Sequence, residues 1–220
     1  MTRILGILSL SVVLAAQLAP VYTVAQEAPT SPAQAKFRDD LKAAVLNGSI
    51  TIPQLKDLQT NAAILKAYKA EQKPGAPVDL ITPWSAVSKM KAVIASVKPP
   101  DREKLEQDLF MMMAAKQAES ASTDTTSDPG KKLGKDIFGA VMRGKPTEAQ
   151  VKSLQDSLNQ LQGIKTSQER PLQKLMAMKQ AKSSIEQTMN AGDFRPQDRQ
   201  AVLDDLNSLG PQGGGRRNRS

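Results

Sequence analysis

The chain has 220 residues, 40% of them hydrophobic and 24% charged, which is enough for one or two hydrophobic cores. It holds no Cys and no His, which excludes disulfides, Cys or His metal sites, Fe–S clusters, His-ligated haem, Cys nucleophiles and every His-dependent triad. Aromatics are only 3%, so the core must come from Leu, Ile, Val, Ala and nine Met, a helix-favouring set, while the formal charge of +8 suits anionic partners.

Residues 1–25 read as a secretory signal. Arg3 is a short positive start, residues 4–16 are apolar, Pro20 breaks the run, and Thr23 and Ala25 put small residues at −3 and −1 before Gln26. The protein is therefore expected to be exported, periplasmic or secreted. Membrane attachment enters only as the alternative of an uncleaved signal, because the run is shorter than the roughly 20 residues a spanning helix needs. Residues 26–32 are a Pro/Ser/Thr-rich flexible lead-in.

A first helical unit is expected over residues 33–118. Phe37, Leu41, Ala44 and Val45 recur at helical spacing, and Asn47-Gly48-Ser49 ends that helix. Thr51 and Gln54 form a capping box, followed by Leu55, Leu58, Ala62 and Leu65 as a packing seam. Residues 73–77 are a loop. Thr82 is read as the N-cap of a third helix with Pro83 at N1, and Val87, Met90, Ile94 and Val97 as its inward face. A fourth helix has Pro99 at N1 and Asp101 at N3, with Leu105, Leu109 and Met112 facing inward.

Residues 119–130, rich in Ser, Thr and Asp, read as a linker. The second unit, residues 131–210, repeats the plan. Residues 40–65 and 136–161 align without a gap at an offset of 96, with identical pairs that include Asp40/Asp136, Gly48/Gly144, Thr51/Thr147, Gln54/Gln150 and Gln59/Gln155. A helix is expected from about Leu133 to Arg143, another from Thr147, and a third from Pro171 with the seam Leu175, Met178, Lys182, Ile185 and Met189. The last starts at Pro196 with Asp198 at N3 and carries Val202, Leu206 and Leu209. Residues 211–220 read as a disordered basic Gly/Arg tail. The fold class is thus all-α, an internal duplication giving two tandem four-helix units, each a pair of helical hairpins.

No catalytic, cofactor or metal residues are assigned. The helix–Gly–helix unit resembles an EF-hand in outline, but Ala43, Val45 and Asn47 stand where calcium needs oxygen ligands. Neighbouring carboxylates such as Asp204 and Asp205 do not face each other on a helix, and the shared pairs Asp40/Asp136 and Asp108/Asp205 point to structure. No phosphate-binding or dinucleotide fingerprint is present. The residues assigned to partner contact are Trp84, Met111, Met113, Lys174, Lys179, Arg216, Arg217 and Arg219. They supply one aromatic platform, adaptable Met side chains and positive charge.

The two starts Thr51-Ile52-Pro53-Gln54 and Thr147-Glu148-Ala149-Gln150 resemble the LTxxQ family of periplasmic chaperones and stress regulators, although the leading Leu is absent from both. That resemblance implies an ATP-independent chaperone or stress sensor with a concave, Met-rich, basic surface. From the residues themselves the expectation is a non-enzymatic interaction or structural protein of the cell envelope. Its partner is a protein or an anionic envelope polymer, not nucleic acid and not a small-molecule substrate.

Overall fold

The structure, a computed structural model, describes residues 32–71, 76–122, 129–168 and 170–209. The signal-like residues 1–25, the lead-in to residue 31 and the tail from residue 210 lie outside them. The described residues form an all-α helical bundle with no strand among them. Eight helices follow in order: α1 (Pro32–Leu46), α2 (Ile52–Glu71), α3 (Ile81–Ala95), α4 (Asp101–Ser122), α5 (Pro129–Arg143), α6 (Glu148–Thr166), α7 (Pro171–Ala191) and α8 (Pro196–Ser208). Two compact units divide the chain, one of Met1–Ala63 with Ser88–Lys116, the other of Ile64–Val87 with Gln117–Ser220.

Caps written into the sequence set several helix starts. Gln54 Oε1 accepts from Thr51 N–H at 2.8 Å, and Thr51 Oγ1 accepts from Gln54 N–H at 3.4 Å. Thr147 and Gln150 repeat the exchange at 2.9 and 3.3 Å. Each box satisfies two amides that a helix start leaves without a carbonyl. Thr51→Ala and Thr147→Ala are each expected to cost about 1 kcal/mol in urea unfolding. A loss below the error of the measurement at both sites would show the boxes to be idle.

Three starts differ from the sequence reading. The third helix begins at Ile81, and its cap is Asp79, whose Oδ1 accepts from Thr82 N–H at 3.1 Å. Thr82 and Pro83 therefore lie inside the first turn. The fourth begins at Asp101, which is its first residue rather than its third. The fifth begins at Pro129, four residues before Leu133, and α4 continues to Ser122. A Pro at the first helical position removes no needed donor, so α5 starts there without penalty.

The repeated glycines do different work. Gly48 has φ +69, and its turn closes on the end of α1 through Ser49 N–H to Ala44 O at 2.9 Å. Only glycine takes that left-handed conformation without a steric cost. Gly144 serves close packing: a Cβ there would lie 2.9 Å from Ala140 O and 2.9 Å from Asp193 O. Beside it, Lys145 N–H bonds Asp193 O at 2.9 Å and ties the α5–α6 connection to the α7–α8 turn.

In the first unit the core is Phe37, Leu41 and Ala44 of α1, Leu55 and Leu58 of α2, Met90 and Ile94 of α3, and Leu105 and Leu109 of α4. In the second, Leu133, Ile137 and Val141 of α5 meet Val151, Leu154 and Leu158 of α6, Ile185 and Met189 of α7, and Val202 and Leu206 of α8. The expected seam of α2 ends early: Ala62 is exposed and Asn61 is buried in its place, with Nδ2 bonded to Asp57 O at 2.8 Å. Ser157, 96 residues on, is also buried and bonds back to Ser153 O at 2.8 Å.

Two side chains of α6 clasp the segment that leads into α3. Asn159 accepts from Val78 N–H at 2.7 Å and donates to Val78 O at 3.1 Å. Gln155 Oε1 accepts from Leu80 N–H at 2.8 Å and Ile81 N–H at 3.2 Å. A distant side chain thus caps the start of α3, where four amides otherwise lack acceptors. Tyr68 Oη donates to Asp79 O at 2.6 Å, and burial followed by the Asp79 charge pushes its phenol up to about 12.

Candidate functional site

The most exposed apolar stripe among the described helices lies on the first half of α7. Leu175, expected inside, is outside. Ala181, Ile185, Thr188 and Met189 form the buried face, and Lys182 is half-buried beside it. Leu172 is 69% exposed, Leu175 51% and Met176 66%. With Lys179, also exposed, they fall at i, i+3, i+4 and i+7, which is one stripe of a helix. The rotation follows from the neighbour that α7 packs on. The α6 side of the contact presents Ser153 and Ser157, and short hydroxyl side chains opposite them allow close approach.

That contact is a hydroxyl cluster. Ser153 Oγ lies 3.0 Å from Thr188 Oγ1 and 3.3 Å from Ser184 Oγ, and Ser157 Oγ lies 2.9 Å from Ser184 Oγ. Thr188 Oγ1 also donates to Ser184 O at 2.8 Å. Beside it is a depression of about 450 Å³ lined by residues that include Lys152, Asp156, Gln160 and Gln180. The hydroxyls bond one another and the helix carbonyls, so the cluster works as polar packing between helices.

Of the residues assigned to partner contact, Lys174 and Lys179 lie on α7, Lys174 half-buried and Lys179 exposed on the apolar stripe. Trp84 is half-buried in the first turn of α3. Met111 is 52% exposed on α4, in the other unit. The Met113 side chain and Arg216, Arg217 and Arg219 lie outside the described residues. The sequence reading missed the exposure of Leu172, Leu175 and Met176. A hydrophobic spacing marks a face but does not say which way it points.

Titratable groups gather elsewhere, in two matching clusters. In the first unit Lys36 Nζ reaches Asp40 at 2.9 Å and Asp108 at 2.5 Å. In the second, Lys132 Nζ pairs with Asp136 at 3.3 Å and with Asp205. Asp108 is 2% exposed and Asp205 4%, and Oδ2 of each is buried with no hydrogen-bond partner. Burial holds the carboxyls of Asp108 and Asp205 above the usual range, against the pull of Lys36 and Lys132. The hydrogen bond from Lys36 holds Asp40 below it. Lys36 is raised by Asp108 and then Asp40, and Lys132 first by Asp205. The signal was present in the chain: Lys36 and Lys132 stand four residues before Asp40 and Asp136 at the same offset of 96.

A third buried carboxylate is neutralised one to one. Arg143, in the last turn of α5, donates from Nε to Asp198 Oδ2 at 3.0 Å and from its terminal nitrogen to Oδ1. Asp101 of the first unit instead accepts from Ser49 Oγ at 2.7 Å. Among the described residues no group of three acidic side chains could hold a metal ion, and no helix is long and apolar enough to cross a membrane. The Thr and Gln pairs that carry the LTxxQ resemblance both serve as capping boxes. Compared with protein-family models, curated proteins and solved structures, the chain matches none.

Proposed function

We propose that this is an exported, non-enzymatic interaction protein of the cell envelope, built from two tandem four-helix units of one duplicated plan, that docks an acidic protein through α7. The observation that carries it is the stripe of Leu172, Leu175 and Met176 standing in solvent beside Lys179. Export rests on the signal-like residues 1–25. Duplication is supported by the aligned stretches at offset 96, the two capping boxes and the two Lys–Asp–Asp clusters.

The chemistry of the stripe favours one kind of partner. A soluble anionic polymer would neutralise Lys179 but leave three large apolar side chains in water. A second copy docked stripe to stripe would set Lys179 against its own like charge. An acidic protein face with an apolar centre satisfies both parts.

A photo-crosslinking residue at Met176, used in the native envelope, identifies the captured protein, whose affinity is then measured directly. Replacing Leu172 and Met176 with Ser is expected to weaken it at least tenfold, since each buried large apolar side chain contributes about 1.5–3 kcal/mol. Added salt is expected to weaken it further. Equal affinity for the variant, or adherence only to polymer or lipid, refutes the reading. The exposed Met111 and Met176 also suit a chaperone, because Met adapts to varied surfaces. Suppression of a model protein's aggregation at stoichiometric ratio would select that alternative, and its absence would remove it.

A further inference from the structure

We propose that the two Lys–Asp–Asp clusters are proton-uptake sites, which tighten α1 against α4 and α5 against α8 as the pH falls towards the ordinary carboxylate range. Each cluster sets two carboxylates against a single ammonium. The charged groups facing Asp108 are Lys36 and Asp40 of α1, with Lys104 of its own helix acting on Asp40. Those facing Asp205 are Lys132 and Asp136 of α5. The hydrogen-bonded groups of each cluster carry one surplus negative charge, which in the first unit Lys104 offsets in part through its action on Asp40.

The geometry supplies a place for the proton. Asp108 and Asp40 share the Lys36 ammonium, and Asp205 and Asp136 share that of Lys132, so the two carboxylates of each cluster stand side by side. Two carboxylates can bond each other only if one carries a proton. The buried Oδ2 atoms of Asp108 and Asp205 lack any partner, so each carboxyl has an oxygen whose solvation was lost and not replaced. A proton from solvent converts the repelling pair into a donor and an acceptor and brings the cluster to neutrality. Lys36 and Lys132 keep their side chains about three-fifths exposed (61% and 60%), so each cluster stands at the protein surface where protons arrive. The same arrangement occurs in both units, while Asp198 with Arg143 has one carboxylate for one cation.

The direction follows from linkage. The folded-state values of Asp108 and Asp205 lie above their unfolded value of 3.8. Between the two values the folded chain holds more protons than the unfolded one, so stability rises as pH falls through that interval. Asp40 acts oppositely: its folded value is lowered, so its contribution is lost as pH falls below 3.8. The gain from Asp108 and Asp205 therefore falls above pH 3.8, and the loss from Asp40 below it. The chain has no His and no Cys, so neither of those side chains adds a pH response of its own.

The test is thermal unfolding of the full chain between pH 7 and about pH 4.5, beside the double variant Asp108→Asn, Asp205→Asn. The wild-type midpoint is expected to rise on acidification. The variant, whose amide can both accept from Lys and donate to Asp, is expected to match or exceed the wild-type midpoint at pH 7 and to lose the rise. A flat or falling wild-type midpoint overturns the proposal, as does a variant that keeps the rise. Should the variant fail to fold, carboxyl NMR titration of the unaltered chain decides. Two Asp carboxyls titrating above the ordinary value of about 3.9 support the proposal, and none doing so refutes it.

Discussion

Replacing Arg143 with Ala is expected to cost about 3–5 kcal/mol, the loss that follows when one partner of a buried ion pair is removed and the other stays buried. Asp198 sits 9% exposed in the first turn of α8, and Arg143 supplies both of its charge-assisted bonds. Each charge also lies at the helix end that favours it, the cation at a C-terminus and the carboxylate at an N-terminus. Lys in place of Arg143 keeps the charge but loses the two-pronged geometry, so it should recover only part of the loss. The double variant Arg143→Met, Asp198→Leu removes the stranded carboxylate and should be much closer to the parent than either single change. Urea unfolding checks all three. If the single Ala variant loses under 1 kcal/mol, the pair does not hold α5 to α8.

The second large effect tests the rotation of α7. Ile185 is fully buried between α6 and α8, so Ile185→Ala should cost about 2–5 kcal/mol through lost burial and the cavity left behind. Leu175→Ala, at a position the spacing alone places on the same face, should change stability by no more than about 0.5 kcal/mol. Equal losses at the two positions would mean that the stripe is buried, and would remove the basis of the proposed docking face. In the expected outcome Leu175→Ala leaves folding unchanged and lowers partner affinity, a separation that only an exposed contact residue gives.

Comparison of these positions shows which features the chain announces. The capping boxes at Thr51 and Thr147, the Pro starts at 171 and 196, and the left-handed Gly48 were all legible, because each is settled within about four residues by backbone sterics and orphan amides. The all-α class was legible from a composition poor in aromatics and from apolar residues at helical spacing. The start of α3 was not, since Asp79 and the distant Gln155 outcompete the local Thr82-Pro83 signal. Gln155 sits in the repeated stretch, yet nothing near it shows that its partners are 75 and 74 residues away.

The amino-acid order alone determined where the locally capped helices begin, that stretches 96 residues apart share one pattern, and which chemistries lack their residues. Tertiary structure decided what those helices face. It put Ala181 inside and Leu175 outside, because burial is set by the neighbouring helix and not by the spacing that both faces share. It also brought Lys36 to Asp108 across 72 residues and Lys132 to Asp205 across 73. Desolvation is a property of the assembled surroundings, so the carboxylates that respond to acid exist as such only once the helices have packed.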